Sequence, residues 1–136
     1  MVLDTSFVID LLRERAAGVD GPAASFLGRH RNATVSLPLF ARCELELGAE
    51  RSSDPQRERQ ALRELTELVT PIDPAPGFEV VYAQVVSRLL SSGTPIPLMD
   101  ALIGTLALQY SQAVVTRDVD HFRSIPGLVV HEYRKP

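Results

Sequence analysis

The order of the chain predicts an α/β fold with a central, mainly parallel sheet of four to five strands flanked by helices. Two observations carry this. Short apolar runs alternate with longer helical patterns along the whole sequence, and such alternation closes as a parallel sheet with crossover helices on its faces. Acids follow two of the apolar runs, at Asp4 and Asp118, and sheets of this kind gather ligands at strand carboxyl ends. A chain of 136 residues, 45% hydrophobic and 23% charged, fits one domain, residues 1–136, large enough to bury its own core.

Met1–Asp4 is a short apolar run ending in an acid and reads as a buried strand. Thr5 or Ser6 is placed to cap a helix whose apolar positions Phe7, Ile9, Leu11 and Leu12 run to about Arg13. Asp20-Gly21-Pro22 marks a turn, and Pro22–His30 a helix opened by proline. Ala33–Ser36 is a strand candidate. Pro38–Glu50 follows as a helix with Leu39, Cys43 and Leu47 on its apolar stripe. Asp54 can cap a charge-rich helix over Pro55–Leu68, whose spacing predicts a solvated face laced with i,i+4 pairs. Val69–Ile72 is a short strand. Pro74–Gly77 turns into a helix over Phe78–Leu90 with Val81, Val85 and Leu89 at four-residue spacing. Ser91–Pro97 is a loop, Leu98–Tyr110 an apolar helix, and Ala113–Thr116 and Leu128–His131 the last strands.

Composition narrows the classes of function. A single cysteine, Cys43, excludes an intramolecular disulfide and a cysteine-rich zinc site, and suits a reducing cytoplasm. The start, Met1-Val2-Leu3-Asp4, offers no signal-peptide pattern, and no apolar run approaches bilayer length. No membrane association is expected. A net charge of −3 argues against a strongly basic nucleic-acid binder. It does not argue against a carboxylate active site, which bound cations offset.

Four acids stand out by position. Asp4 directly follows the first strand. Glu44 lies inside an otherwise apolar helix. Asp100 opens the Ala101–Leu108 helix among Leu98, Met99, Leu102 and Ile103. Asp118 follows the strand Ala113–Thr116 by two residues. In a parallel sheet these four could converge on one edge, where their repulsion would raise some pKa values. A hard dication relieves that conflict, because Mg²⁺ takes oxygen ligands and keeps several waters. A pair of such ions can promote phosphodiester cleavage. His30, His121 and His131 are scattered and show no ligand spacing, which disfavours zinc. Taken singly, each acid has an ordinary structural reading: Asp4 and Asp100 as helix caps, Glu44 as a partly exposed helix residue, Asp118 as a turn residue.

The four contexts together resemble one family. Met1–Arg13 (MVLDTSFVIDLLR) resembles the opening of PIN-domain proteins, in particular the VapC-type toxins of bacterial toxin–antitoxin pairs. Val35–Ala49 (VSLPLFARCELELGA) resembles their second motif, Pro97–Ala107 (PLMDALIGTLA) the third, and Val114–Phe122 (VVTRDVDHF) the fourth. The resemblance extends from residue 1 to about 131. It implies a PIN-like fold and an Mg²⁺-dependent endoribonuclease, with Mn²⁺ able to substitute, that cleaves single-stranded or looped RNA by water without a covalent protein intermediate. It casts Asp4, Glu44, Asp100 and Asp118 as catalytic, metal-binding acids, Asp118 directly or through water. Ser6 and Thr116 become supporting hydroxyls, and Asp120 an outer acid. The implied partners are an RNA substrate, a cognate VapB-type antitoxin and a second copy of the chain as a homodimer, in a bacterial or archaeal cytoplasm.

Arg13, Arg15, Arg117 and Arg123 are candidates for RNA-phosphate contacts, against the plainer reading that they balance local acids. Phe7, Leu11 and Phe40 could form a groove for a partner helix, or be core. Three competing readings stand beside the ribonuclease: a carboxylate-metal nuclease or phosphatase on another substrate, a catalytically inactive PIN-like RNA- or protein-binding domain, and a phosphoacceptor receiver domain. The last fits poorly, since Lys135, the only lysine, lies in the tail.

Overall fold

The computed structural model describes residues 1–135. Five strands form one all-parallel sheet: β1 (Val2–Leu3), β2 (Ser36–Pro38), β3 (Thr70–Ile72), β4 (Val114–Thr116) and β5 (Val130–Glu132). Seven helices flank it: α1 (Thr5–Ala17), α2 (Pro22–Arg29), α3 (Leu39–Glu50), α4 (Pro55–Thr66), α5 (Phe78–Ser91), α6 (Leu98–Gln109) and α7 (Val119–Arg123). The expected α/β architecture is present.

The strand order is β3-β2-β1-β4-β5. From β1 the chain builds outward through β2 and β3, then returns to lay β4 on the other side of β1. The order therefore reverses between β1 and β4, and in open parallel sheets ligands bind in the crevice at such a reversal. Val2 pairs with Val114 and Leu3 with Val115. Asp4 and Thr116, each one residue further, leave the sheet side by side, and the Asp4 N–H still donates to Val115 O at 3.0 Å.

The central strands are apolar because both faces are covered. Val2, Leu3, Val114 and Val115 are fully buried, and burying such a side chain contributes about 1.5–3 kcal/mol. Phe7, Val8, Ile103, Leu106 and Phe122 join them from the helices. Pro71 lies in β3, an edge strand, where its missing N–H matters least.

Several boundaries differ from expectation. Neither Thr5 nor Ser6 caps α1: both lie inside it, and Asp4 holds the capping position without making a side-chain cap bond. The helix also runs one turn past Arg13, to Ala17, and ends at Gly18 with φ 66°, a left-handed conformation that suits glycine. That extra turn carries Glu14, whose two carboxylate oxygens accept the N–H groups of Ala23 and Ala24 at 2.9 Å each. The orphan donors at the start of α2 are thus satisfied from another helix. Gly21 must be bare for this, since a Cβ there would stand 2.4 Å from Glu14 Oε1.

Strands β2 and β5 sit a few residues later than expected, because pairing fixes them: Ser36 aligns with Val2, and Val130 with Val114. The apolar stripe on α3 is the larger correction. Leu39, Cys43 and Leu47 are exposed, and the buried face is Ala41, Leu45 and Ala49. Helix α3 packs against α1, α4 and α6. Phe7 and Leu11 are core rather than groove, and Phe40 packs on Phe78 at a centroid distance of 5.6 Å. Helix α4 starts at its expected cap, with Asp54 accepting the Arg57 N–H at 3.2 Å. Its Arg59 reaches across to Glu46 and Glu50 of α3. Among the described residues, no helix is long and apolar enough to cross a membrane.

Candidate active site

The carboxyl ends of β1 and β4 build the centre of the site. Asp4 is buried, 3% exposed. Its Oδ2 accepts hydrogen bonds from Ser6 Oγ at 2.8 Å and Thr116 Oγ1 at 2.7 Å, so the carboxylate is turned away from the helix N–H groups it might otherwise cap. Each hydroxyl is oriented in turn by the main chain after β4. The Arg117 N–H donates to Ser6 Oγ at 3.1 Å, and the Asp118 N–H to Thr116 Oγ1 at 2.9 Å. Each hydroxyl thus accepts one main-chain N–H and donates its own proton to Asp4, and the two hydroxyl oxygens lie 3.3 Å apart. Ser6, expected next to the first acid, and Thr116, expected as the hydroxyl before Asp118, both stand beside Asp4 in the fold.

Asp100 lies in the first turn of α6. Its Oδ2 accepts from His121 Nδ1 at 2.7 Å. Burial pushes its pKa up, the charges of Asp4 and Asp118 push the same way, and His121 holds the rise back. Asp4 and Asp118 therefore lie near enough for their charges to act on Asp100. Glu44, on α3, is half-buried, and its Oε1 accepts from Thr5 Oγ1 at 2.7 Å, one residue from Asp4. Asp118 is exposed at the start of α7, and Asp120 is exposed on that helix.

A common pattern runs through Asp4, Glu44 and Asp100. One oxygen of each is held by a hydroxyl or an imidazole, and the other takes no hydrogen bond from a described residue. Among the described residues, no three His, Cys, Asp or Glu side chains are grouped tightly enough to enclose a metal ion. Asp4, Glu44 and Asp100 each keep one oxygen free of hydrogen bonds from the described residues.

The arginines divide. Arg117 bonds Asp10 at 3.2 Å and is two-thirds buried, which favours the charge-balancing reading over a phosphate contact. Arg13 is exposed, 3.9 Å from Asp10, and lines a cleft of about 390 Å³ shared with Glu44 and Arg57. Arg15 and Arg123 are exposed and make no ion pair among the described residues.

Sequence reasoning missed Thr5, His121 and Asp10. Two left a signal: Thr5 adjoins Asp4, and His121 lies three residues after Asp118, on the short helix that acid begins. Asp10 left none, because its partners Tyr133 and Arg134 are more than 120 residues away.

Fold and site together define a small all-parallel α/β domain with Asp4 and Asp118 at the strand ends of its topological reversal and Asp100 within reach of their charges. The chain belongs to the PIN domain family, whose model matches residues 1–128. It is 25% identical over 134 residues to Ribonuclease VapC1 of Haemophilus influenzae, covering 98% of both chains. Among solved structures it is similar to VapBC-1 from nontypeable Haemophilus influenzae, at 23% identity, 98% coverage of each chain and a TM-score of 0.85. It is also similar to DNA-bound VapBC from Salmonella typhimurium, at 21% identity, 97% and 96% coverage and a TM-score of 0.86. FitAcB from Neisseria gonorrhoeae matches at 24% identity, 99% coverage of each chain and a TM-score of 0.79.

Proposed function

We propose that this chain is a divalent-cation-dependent endoribonuclease and the toxin of a toxin–antitoxin pair. The observation that carries the reading is geometric: Asp4 is held at the end of β1 by Ser6 and Thr116, Asp118 follows the end of β4, and Asp100, hydrogen-bonded to His121, lies near enough for their charges to push its pKa up. The curated relative named as a ribonuclease supports RNA as substrate. The VapBC structures support a small VapB-type antitoxin as partner. A second copy of the chain and a cytoplasmic setting complete the reading.

The donor set fits Mg²⁺, with Mn²⁺ as a substitute. It is all oxygen, and Mg²⁺ keeps most of its water and needs only one or two carboxylates, which suits a site without a cluster of three ligands among the described residues. Asp4 and Asp100 would hold the ion through their free oxygens, with Glu44 and Asp118 direct or through water. When bound, the ion supplies charge neutralisation at the scissile phosphate and a more acidic water. The residues do the positioning. Ser6 and Thr116 lock the Asp4 carboxylate in one rotamer, Thr5 does the same for Glu44, and His121 for Asp100. Locked ligands lose little freedom when an ion arrives, which is the basis of preorganisation. Arg13 lies in the Glu44 cleft and would meet the RNA backbone.

Purified protein, freed of any antitoxin, is expected to cleave single-stranded RNA with Mg²⁺ or Mn²⁺. Cleavage that persists in excess EDTA contradicts the assignment. Expression of the chain alone should slow bacterial growth, and unimpaired growth with abundant folded protein would contradict the toxin reading.

A further inference from the structure

Asp10, on the same helix as Ser6, gathers an unusual number of donors. Its side chain is 12% exposed. Oδ2 accepts from Tyr133 Oη at 2.5 Å and Arg134 Nη2 at 2.6 Å, and Oδ1 from Arg117 Nη1 at 3.2 Å. Tyr133 is itself buried, 2% exposed, with its ring edge-on to Phe7 at 4.7 Å. The cluster joins the chain's last described residues to α1. It also reaches Arg117, which stands between Thr116 and Asp118.

We propose that Asp10 is a positioning residue for the carboxylate site, acting through Arg117. This inference rests on the cation-dependent reading given above. Asp10 touches none of the four acids. It grips the Arg117 guanidinium, while the Arg117 N–H is gripped by Ser6 Oγ. Arg117 is thereby held at both ends, and the next N–H, from Asp118, stays aimed at Thr116 Oγ1. These two N–H bonds place the Ser6 and Thr116 oxygens, and those hydroxyls hold Asp4 Oδ2. Release of the guanidinium frees the segment that carries both N–H groups, and the Asp4 carboxylate then loses its single orientation. A cluster that only fastened the chain end would not need Arg117, since Tyr133 and Arg134 already provide that tie.

The test is a calorimetric titration of the RNA-free full chain with Mn²⁺, comparing wild type, Asp10→Asn, Arg117→Ala and Arg117→Lys. Asp10→Asn and Arg117→Ala are expected to weaken Mn²⁺ binding about tenfold, the low end of losses for outer-shell partners, and Arg117→Lys to recover it to within about twofold. Should Asp10→Asn fail to fold, Arg117→Ala still decides, because it leaves the Tyr133 and Arg134 bonds in place. Wild-type affinity in folded Arg117→Ala overturns the proposal, and a raised KM for RNA with unchanged Mn²⁺ binding would show Arg117 to be a phosphate contact instead. A wild-type chain that neither binds Mn²⁺ nor cleaves RNA overturns the functional reading and this proposal with it.

Discussion

Asp10 and Asp100 are both mostly buried aspartates, with side chains 12% and 16% exposed, yet they sit in opposite fields. Burial raises both pKa values. At Asp10 the hydrogen bonds of Tyr133 and Arg134 and the charges of Arg134 and Arg117 outweigh burial and bring the pKa below its ordinary value. At Asp100 the charges of Asp4 and Asp118 add to burial, and His121 does not offset them. The chain surrounds one acid with donors and cations and sets the other beside like charges. On the function proposed above, that difference separates an acid that holds the molecule together from one that would meet a cation.

The largest expected effect breaks the second centre. Asp4→Asn and Asp100→Asn should abolish RNA cleavage, a loss of at least the roughly 100-fold that removal of an outer-shell partner reaches at most. Melting curves should then split the two acids by sign. In EDTA at neutral pH, Asp100→Asn should raise Tm, because it removes a charge that repels its neighbours. Asp10→Asn should lower stability by about 1–2 kcal/mol in denaturant titrations. This is less than the 3–5 kcal/mol of a fully buried pair, since Arg117 and Arg134 are partly solvated. Equal signs for the two variants would erase the comparison.

Acidity sharpens it further. A folded pKa below the ordinary 3.8 of Asp10 means stability that is present above pH 3.8 and lost as pH falls through the folded value. Asp10→Asn should therefore flatten the acid limb of the stability curve below pH 3.8. A folded pKa above 3.8 at Asp100 means a handicap that grows as pH rises from 3.8 through the folded value. The advantage of Asp100→Asn over wild type, measured in EDTA, should grow over the same interval and then level off.

Saturating Mg²⁺ should remove that handicap, raising wild-type stability by about 2.7 kcal/mol at a hundred times Kd, and should do much less for Asp100→Asn. The smallest effects belong to the exposed rim. Arg15→Ala and Arg123→Ala should change stability by less than about 0.5 kcal/mol. If either meets an RNA phosphate, the salt slope of binding should fall by about 0.7.

How far the sequence revealed this molecule depends on the range of each interaction. The alternation of Val2–Leu3, Val114–Thr116 and the helices between them is local periodicity, and it led to the right fold class. Strand register was less legible, because Ser36 is placed by Val2 and Val130 by Val114, and single-strand patterning says nothing about partners. Helix α3 misled because Leu39, Cys43 and Leu47 share the spacing of the true inner face, and bulk hydrophobicity pointed to the wrong one. Helix α7, five residues long, is too short for periodicity to register. Motif context picked out Asp4, Glu44, Asp100 and Asp118, and with them the hydroxyls of Ser6 and Thr116 that hold Asp4. It did not pick out Thr5 and His121, which hold Glu44 and Asp100 from other helices.

The most direct measurement is an anomalous difference map from crystals of the full chain grown with Mn²⁺. The account predicts a peak beyond the carboxyl ends of β1 and β4, with an oxygen of Asp4 and an oxygen of Asp100 each about 2.0–2.3 Å from the ion. A well-ordered site with Mn²⁺ bound elsewhere, or with Asp4 and Asp100 unchanged and no peak between them, would contradict it.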